Sequence, residues 1–141
     1  MKKILIINSN YYKNISKELV FKAKTKLANE RFNLKILDVP GVHEIPIAIR
    51  KNIKRFDGFV ALGCVIKGQT PHFDLICSST FNALMSLSIK FNKPIGNGII
   101  TALNLKQAKQ RSNKSNSSKP NKGHEAAKAV ISILKNESKK I

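Results

Sequence analysis

The stretch Gly58-Phe59-Val60-Ala61-Leu62-Gly63-Cys64-Val65-Ile66, followed at once by Lys67-Gly68-Gln69-Thr70-Pro71-His72, decides how this chain is organised. Phe59, Val60, Ala61, Leu62 and Val65 form a nearly continuous apolar run, not an alternating one. A strand of that kind needs cover on both faces and belongs at the centre of a sheet. Gly68 to Pro71 breaks the run. Pro71 suits the first turn of a helix, where no N–H is needed, and a long helix is expected from there to about Phe91.

Working outward, Lys3 to Asn8 is a short β-branched run that stops at Asn8-Ser9-Asn10, and Leu34 to Val39 repeats the signal before Pro40-Gly41 ends it. From Ile15, apolar residues recur at Leu19, Ala23 and Leu27, one face of a helix; Ile45, Ile49 and Ile53 mark another. Beyond the central run, Pro94 to Thr101 reads as a fourth strand and Leu105 to Arg111 as a short helix. Ser112 to Asn121, rich in Ser, Asn and Lys, reads as a loop. A last helix from Lys122 places Ala126, Ala129, Val130, Ile133 and Leu134 on one face. Strands that alternate with helices imply an α/β fold: a four-stranded parallel sheet between two helical layers, joined by right-handed crossovers. Ligands of such sheets bind beyond the carboxyl ends of the strands.

With 141 residues the chain has the size of a single domain, residues 1 to 141. No run approaches the length of a membrane span, and the apolar start is too short for a signal peptide. Cys64 and Cys77 lie in apolar contexts without metal-ligand spacing, as reduced thiols of a cytoplasmic protein would. Charge is the unusual feature: 26 Lys and Arg against 8 Asp and Glu give a formal +18. Such a field attracts polyanions non-specifically. The cations are nevertheless spread along the chain, aromatics are few, and no nucleic-acid-binding motif accompanies them.

Four groups at the expected strand ends could carry chemistry. Gly68-Gln69-Thr70 lies where the free N–H groups of a helix start favour an anion such as phosphate, although the same tripeptide makes an ordinary βα turn. Arg111, at the end of a short helix, could clamp that phosphate in bidentate fashion or simply cap the helix. His72, in the first turn of the long helix, suits proton transfer, and is as readily structural. Val42-His43-Glu44 offers a carboxylate and backbone amides to a polyol or heterocycle, while Glu44 could equally stabilise the next helix. One ring of Tyr11 or Tyr12 could stack on a planar ligand or pack conventionally.

Taken together these segments resemble one family. Val39-Pro40-Gly41-Val42-His43-Glu44-Ile45-Pro46 is similar to the V-P-G-x-x-E-I-P segment of the lumazine synthases. Ala61 through Asp74 is similar to their L-G-x-V-I-x-G-x-T-x-H-[FY]-[DE] signature. Gly98 to Thr101, Gln107-Ala108 with Arg111, and Asn121-Lys122-Gly123 with Glu125 to Ala127 continue the likeness in order and spacing over about residues 3 to 135.

The resemblance implies a flavodoxin-like αβα sandwich and the condensation of a ribitylamino-pyrimidine with a phosphorylated four-carbon ketone, a step of riboflavin biosynthesis. No metal or organic cofactor is implied. His72 takes the place of the proton-transfer residue. Arg111 and the Gly68-Gln69-Thr70 turn hold the ketone phosphate, with Lys122 adding positive charge. Tyr11 falls where an aromatic stacks on the pyrimidine, and Glu44 where a carboxylate holds the ribityl chain. Val42, His43, Cys64, Val65, Ile66 and Asn97 fall at other substrate contacts, although many relatives carry apolar or aromatic residues at positions 43 and 97.

The resemblance also implies a homopentamer with active sites between neighbouring subunits. The connection Ser112 to Pro120 is longer than in shell-forming relatives and carries Lys114 and Lys119, and the extension that pairs with a neighbour is absent. Both features, with the high charge, lead to the expectation of pentamers and not sixty-subunit shells.

Overall fold

The computed structural model describes residues 1–113 and 120–137. Its element order is β1 (Lys3–Ser9), α1 (Lys13–Ala28), β2 (Asn33–Val39), a single 3-10 turn (Val42–Glu44), α2 (Ile45–Lys51), β3 (Gly58–Ile66), α3 (His72–Phe91), β4 (Ile95–Ala102), α4 (Leu105–Arg111) and α5 (Lys122–Glu137). The four strands form one parallel sheet in the order β2-β1-β3-β4. β3 is paired on both sides, with Ile6 opposite Val60 and Ala61 opposite Asn97. The unbroken apolar run is therefore an interior strand, as its pattern requires.

Alternation along the strands splits the core in two. Ile4, Ile6, Val60, Leu62 and Ile100 face α1 and α5, meeting Leu19, Leu27, Val130 and Leu134. Leu5, Ile7, Phe59, Ala61 and Ile99 face the other way, against Val42, Ile45, Ile49 and Leu84 from the 3-10 turn, α2 and α3. This is the three-layer αβα sandwich, flavodoxin-like in form. Each fully buried large side chain removes enough apolar surface to contribute about 1.5–3 kcal/mol. α5 lies close against the sheet because Gly96 has no side chain: a Cβ there would collide with the Ala126 carbonyl.

The helix faces differ in part from expectation. α2 stops at Lys51, so Ile53, although buried, belongs to the turn that follows. On α5 the buried residues are Ala126, Ala127, Val130, Ile131 and Leu134, whereas Ala129 is exposed and Ile133 is 50% exposed. The apolar arc of α5 is wider than one helical stripe. Its Ala127/Ile131 side meets the core shared with α1, and its Ala129/Ile133 side overhangs the free edge of β4. There Ala129 and Ile133 line a groove of about 600 Å³ with Met85 and Ile89 of α3. Lys114 and Lys119 lie outside the described residues. No helix among the described residues is long and apolar enough to cross a membrane.

Candidate active site

The carboxyl ends of β1 and β3 and the turns that follow β2 and β3 enclose a cavity of about 410 Å³. Its geometry follows from local backbone hydrogen bonds. At the end of β1, the Ser16 hydroxyl donates to the Ser9 carbonyl (2.5 Å), and Asn10 N–H donates to the Val39 carbonyl (3.1 Å). These bonds direct Tyr11 and Tyr12 over the strand ends. Lys67 N–H donates to the Ala102 carbonyl (2.9 Å), which carries the β3–β4 pairing to the lip of the cavity. Gly63 permits the close approach of the walls: a Cβ there would lie 2.8 Å from Val42 Cγ1 and 3.0 Å from Ser9 Cβ.

The structure brings most of the sequence-derived candidates to this one place. Tyr11, Val42 and His43 line one side of the cavity, while Cys64, Val65, Ile66, Gly68, Thr70 and His72 line the other. His72 opens α3 with its backbone N–H donating to Thr70 Oγ1 (3.4 Å), so Thr70 orients the turn on which the imidazole stands. Glu44 is half-buried at the start of α2; a Cβ on Gly41 would lie 3.2 Å from its Oε1, which places the carboxylate over a wall residue of the cavity. Gln69 is exposed between Gly68 and Thr70 and does not itself line the cavity.

Three candidates do not join the others within one chain. Asn97 pairs with Ala61, three positions before Cys64 along β3, which is about 10 Å of strand. It therefore lies below the sheet rim, within the fourth strand, and it lines the groove beside α3 and α5. Arg111 closes α4 and Lys122 opens α5; neither lines the β1/β3 cavity. Lys122 Nζ lies 4.0 Å from Glu125 Oε2.

Ser9, Tyr12, Gly41, Phe73 and Ile76 also line the cavity. In the sequence Tyr12 is only the alternative to Tyr11 as a stacking ring, and Ser9 carries no signal beyond its place at a strand end. The two tyrosine rings meet edge to face, with centroids 5.0 Å apart and planes at 76°. Tyr12 is anchored against the α1/α5 side of the core, whereas Tyr11 is 73% exposed. Burial pushes the Cys64 thiol up to about 11. The Tyr12 phenol is raised by burial first and then by the nearby Cys64 and Tyr11. Both groups are therefore neutral near pH 7 and present O–H and S–H, not anions, to a ligand. Among the described residues no cluster of three or more His, Cys, Asp or Glu is placed to hold a metal ion.

A cavity with an exposed tyrosine ring, neutral donors, a carboxylate at its rim and an N–H-rich turn fits a planar polyol ligand and an anionic one side by side. Comparison with known proteins gives the same direction. Residues 1–138 match the family described as 6,7-dimethyl-8-ribityllumazine synthase. The enzyme of that name from Bartonella henselae is 40% identical over 136 residues, 94% of this chain and 88% of the relative. That from Bartonella bacilliformis is 38% identical over 136 residues, 94% and 90% of the two chains. The Afipia carboxidovorans protein of the same name is 38% identical over 144 residues, covering 97% and 86%. With the signature segments wrapped around one cavity and likeness extending over nearly its whole length, the chain belongs to the 6,7-dimethyl-8-ribityllumazine synthase family.

Proposed function

We propose that this chain condenses 5-amino-6-(D-ribitylamino)uracil with 3,4-dihydroxy-2-butanone 4-phosphate at a site shared by two neighbouring copies. The products are 6,7-dimethyl-8-ribityllumazine, phosphate and water. The observation that carries the shared site is the division of the candidate residues. The β1/β3 cavity gathers Tyr11, His43, Cys64, Thr70 and His72 but leaves out Asn97, Arg111 and Lys122. A single chain thus has a place for the pyrimidine and a turn for the phosphate, without the guanidinium that would clamp it.

In this reading Tyr11 stacks on the pyrimidine, Glu44 holds the ribityl hydroxyls, and Val42, His43 and Cys64 to Ile66 form the pocket wall. Gly68, Gln69 and Thr70 direct N–H groups at the ketone phosphate. Arg111 and Lys122 of the adjoining copy complete its charge balance, and Asn97 of that copy closes the pyrimidine side. The amine attacks the ketone carbonyl to give an imine, phosphate leaves, and tautomerisation precedes ring closure. Holding two substrates in register supplies most of the rate, and His72 moves protons.

The groove at the β4 edge supports assembly, because Met85, Ile89 and Ile133 are exposed there at 63%, 74% and 50% in one chain. A cyclic homopentamer would bury it. Net self-repulsion at +18 opposes further association into shells.

Subunit mixing tests the proposal. His72→Ala and Arg111→Ala chains, each weakly active alone, are unfolded together and reassembled. If the site is shared, about a quarter of the interfaces in random mixtures pair an intact His72 with an intact Arg111, and activity returns to that extent. Mixtures no more active than their parents would place both residues in one chain's site and overturn the arrangement.

A further inference from the structure

We propose that the cleft at the open β2 edge of the sheet binds a compact oligophosphate, of the kind presented by inorganic tripolyphosphate or by the triphosphate of a nucleotide. The cleft, of about 590 Å³, lies at the end of the sheet opposite the β1/β3 cavity. Lys3 and Asn33 begin their strands side by side, and Lys35 pairs with Leu5. Leu5 points into the core beneath α2, so Lys3 and Lys35 project on that same face. The turn after α2 supplies the facing wall with Asn52, Lys54 and Arg55.

Four cationic residues therefore line one concavity, and among the described residues no acidic one lines it. Among the described residues none of the four side-chain cations lies within 4.0 Å of a carboxylate. Asp57, the nearest acid in the turn, is half-buried and its Oδ2 accepts the Lys3 backbone N–H at 2.7 Å. The floor is apolar, formed by Leu5 (4% exposed) and Phe56 (8%). A concave surface of one charge sign over a low-dielectric floor focuses the field of the whole molecule, and this molecule carries +18.

Arg55 is partly organised in advance. Its Nη1 donates to Asn52 Oδ1 at 3.3 Å, and its guanidinium lies over the Phe56 ring at 5.9 Å. Less freedom is then lost when the fork meets an anion. The number of cations sets the ligand class. A single phosphoryl group carries about two negative charges at most, too few to balance four cations, whereas a triphosphate carries about four.

The experiment is calorimetric titration of tripolyphosphate into the full chain at about 50 and about 150 mM salt. Arg111→Ala serves as background throughout, so that the phosphate position of the enzyme site does not contribute. Lys35→Gln with Lys54→Gln removes two cleft cations. Lys17→Gln with Lys24→Gln removes two exposed cations from α1 and matches the change in net charge. The cleft pair is expected to weaken binding about tenfold and the α1 pair less than about twofold. Equal losses in the two pairs would assign the effect to diffuse charge and overturn the site, as would no loss in either. A nucleoside triphosphate binding at least about tenfold more tightly than tripolyphosphate, with the same dependence on Lys35 and Lys54, identifies the nucleotide as the source of the phosphates; equal affinities identify the phosphate chain alone. Single-stranded nucleic acid that outcompetes tripolyphosphate at equal phosphate concentration would overturn the proposal in favour of a nucleic-acid surface.

Discussion

Replacing Tyr12 by Leu should weaken pyrimidine binding although Tyr11 is the ring proposed to touch it. Tyr11 is 73% exposed, and the edge of Tyr12, 5.0 Å away at 76°, is its aromatic neighbour. Tyr12 itself is fixed by packing on the core. An edge-to-face pair contributes about 0.5–1.5 kcal/mol beyond area burial, and without it Tyr11 must be ordered at the expense of binding. That converts to about a two- to twelvefold rise in KM for the pyrimidine. The KM for the ketone phosphate should change less than about twofold, since the turn proposed to hold the phosphate lies between β3 and α3. Tyr12→Phe keeps the ring edge and should behave as the parent. Lumazine formation measures all of these, and a second readout is available because the chain has 2 tyrosines and no tryptophan. In Tyr12→Phe every tyrosine photon comes from Tyr11, so quenching by the pyrimidine reports the proposed stack directly. If Tyr12 acts through Tyr11, adding Tyr12→Leu to Tyr11→Ala costs nothing more. Fully additive losses, or equal rises in both KM values, would refute the reasoning.

Gly96→Ala should destabilise the fold by about 1–3 kcal/mol, because its Cβ would meet the α5 backbone at Ala126 first of all, and backbone cannot move aside as a side chain can; thermal melting should fall by about 3–10 °C. Cys64, with its thiol raised from 9.0 to about 11, carries about a hundredfold less thiolate at pH 8 than an ordinary cysteine. Alkylation followed by mass spectrometry should show at least that retardation, and labelling at the rate of the unfolded chain would contradict the burial. The same shift has a sign for stability. Below pH 9 the thiol is protonated in both states; as pH rises from about 9 through about 11 only the unfolded chain loses the proton, so stability falls across that window. Cys64→Ala should abolish this component of the alkaline loss in denaturant titrations at several pH values.

Much of this fold could be read from periodicity. The run from Phe59 to Val65 has no polar face, so its interior position was fixed by composition. Ile15, Leu19, Ala23 and Leu27 share one stripe because α1 has water on its far side. α5 was harder: Ala129 and Ile133 continue its apolar arc but are not covered by their own chain, and amphipathicity does not distinguish a core face from one awaiting a neighbour. The candidate site was legible where motifs carried it, from Val42 to Glu44 and from Cys64 to His72. Asn97 enters the candidate set through the family resemblance alone, and β4, which continues to Ala102, leaves it in mid-strand and outside the β1/β3 cavity. Tyr12 and Ser9 enter the cavity through the turn after β1, whose direction depends on the Ser16–Ser9 bond and leaves no trace in hydropathy.

The contact between α1 and α5 sets an order on folding. Leu19 and Leu27 are wholly buried in a cluster that includes Ala126, Ala127, Val130, Ile131 and Leu134, and a Cβ at Gly123 would strike the Leu19 carbonyl. The second helix of the pair is made roughly a hundred residues after the first, at the far end of the chain. During synthesis β1, α1 and β2 can assemble early, but the flank of α1 that meets α5 stays uncovered until α5 has left the ribosome. Closing so long a loop is slow relative to local helix formation. The vulnerable interval thus runs from the synthesis of α1 to that of α5, when part of the apolar stripe of the first helix still lacks its partner.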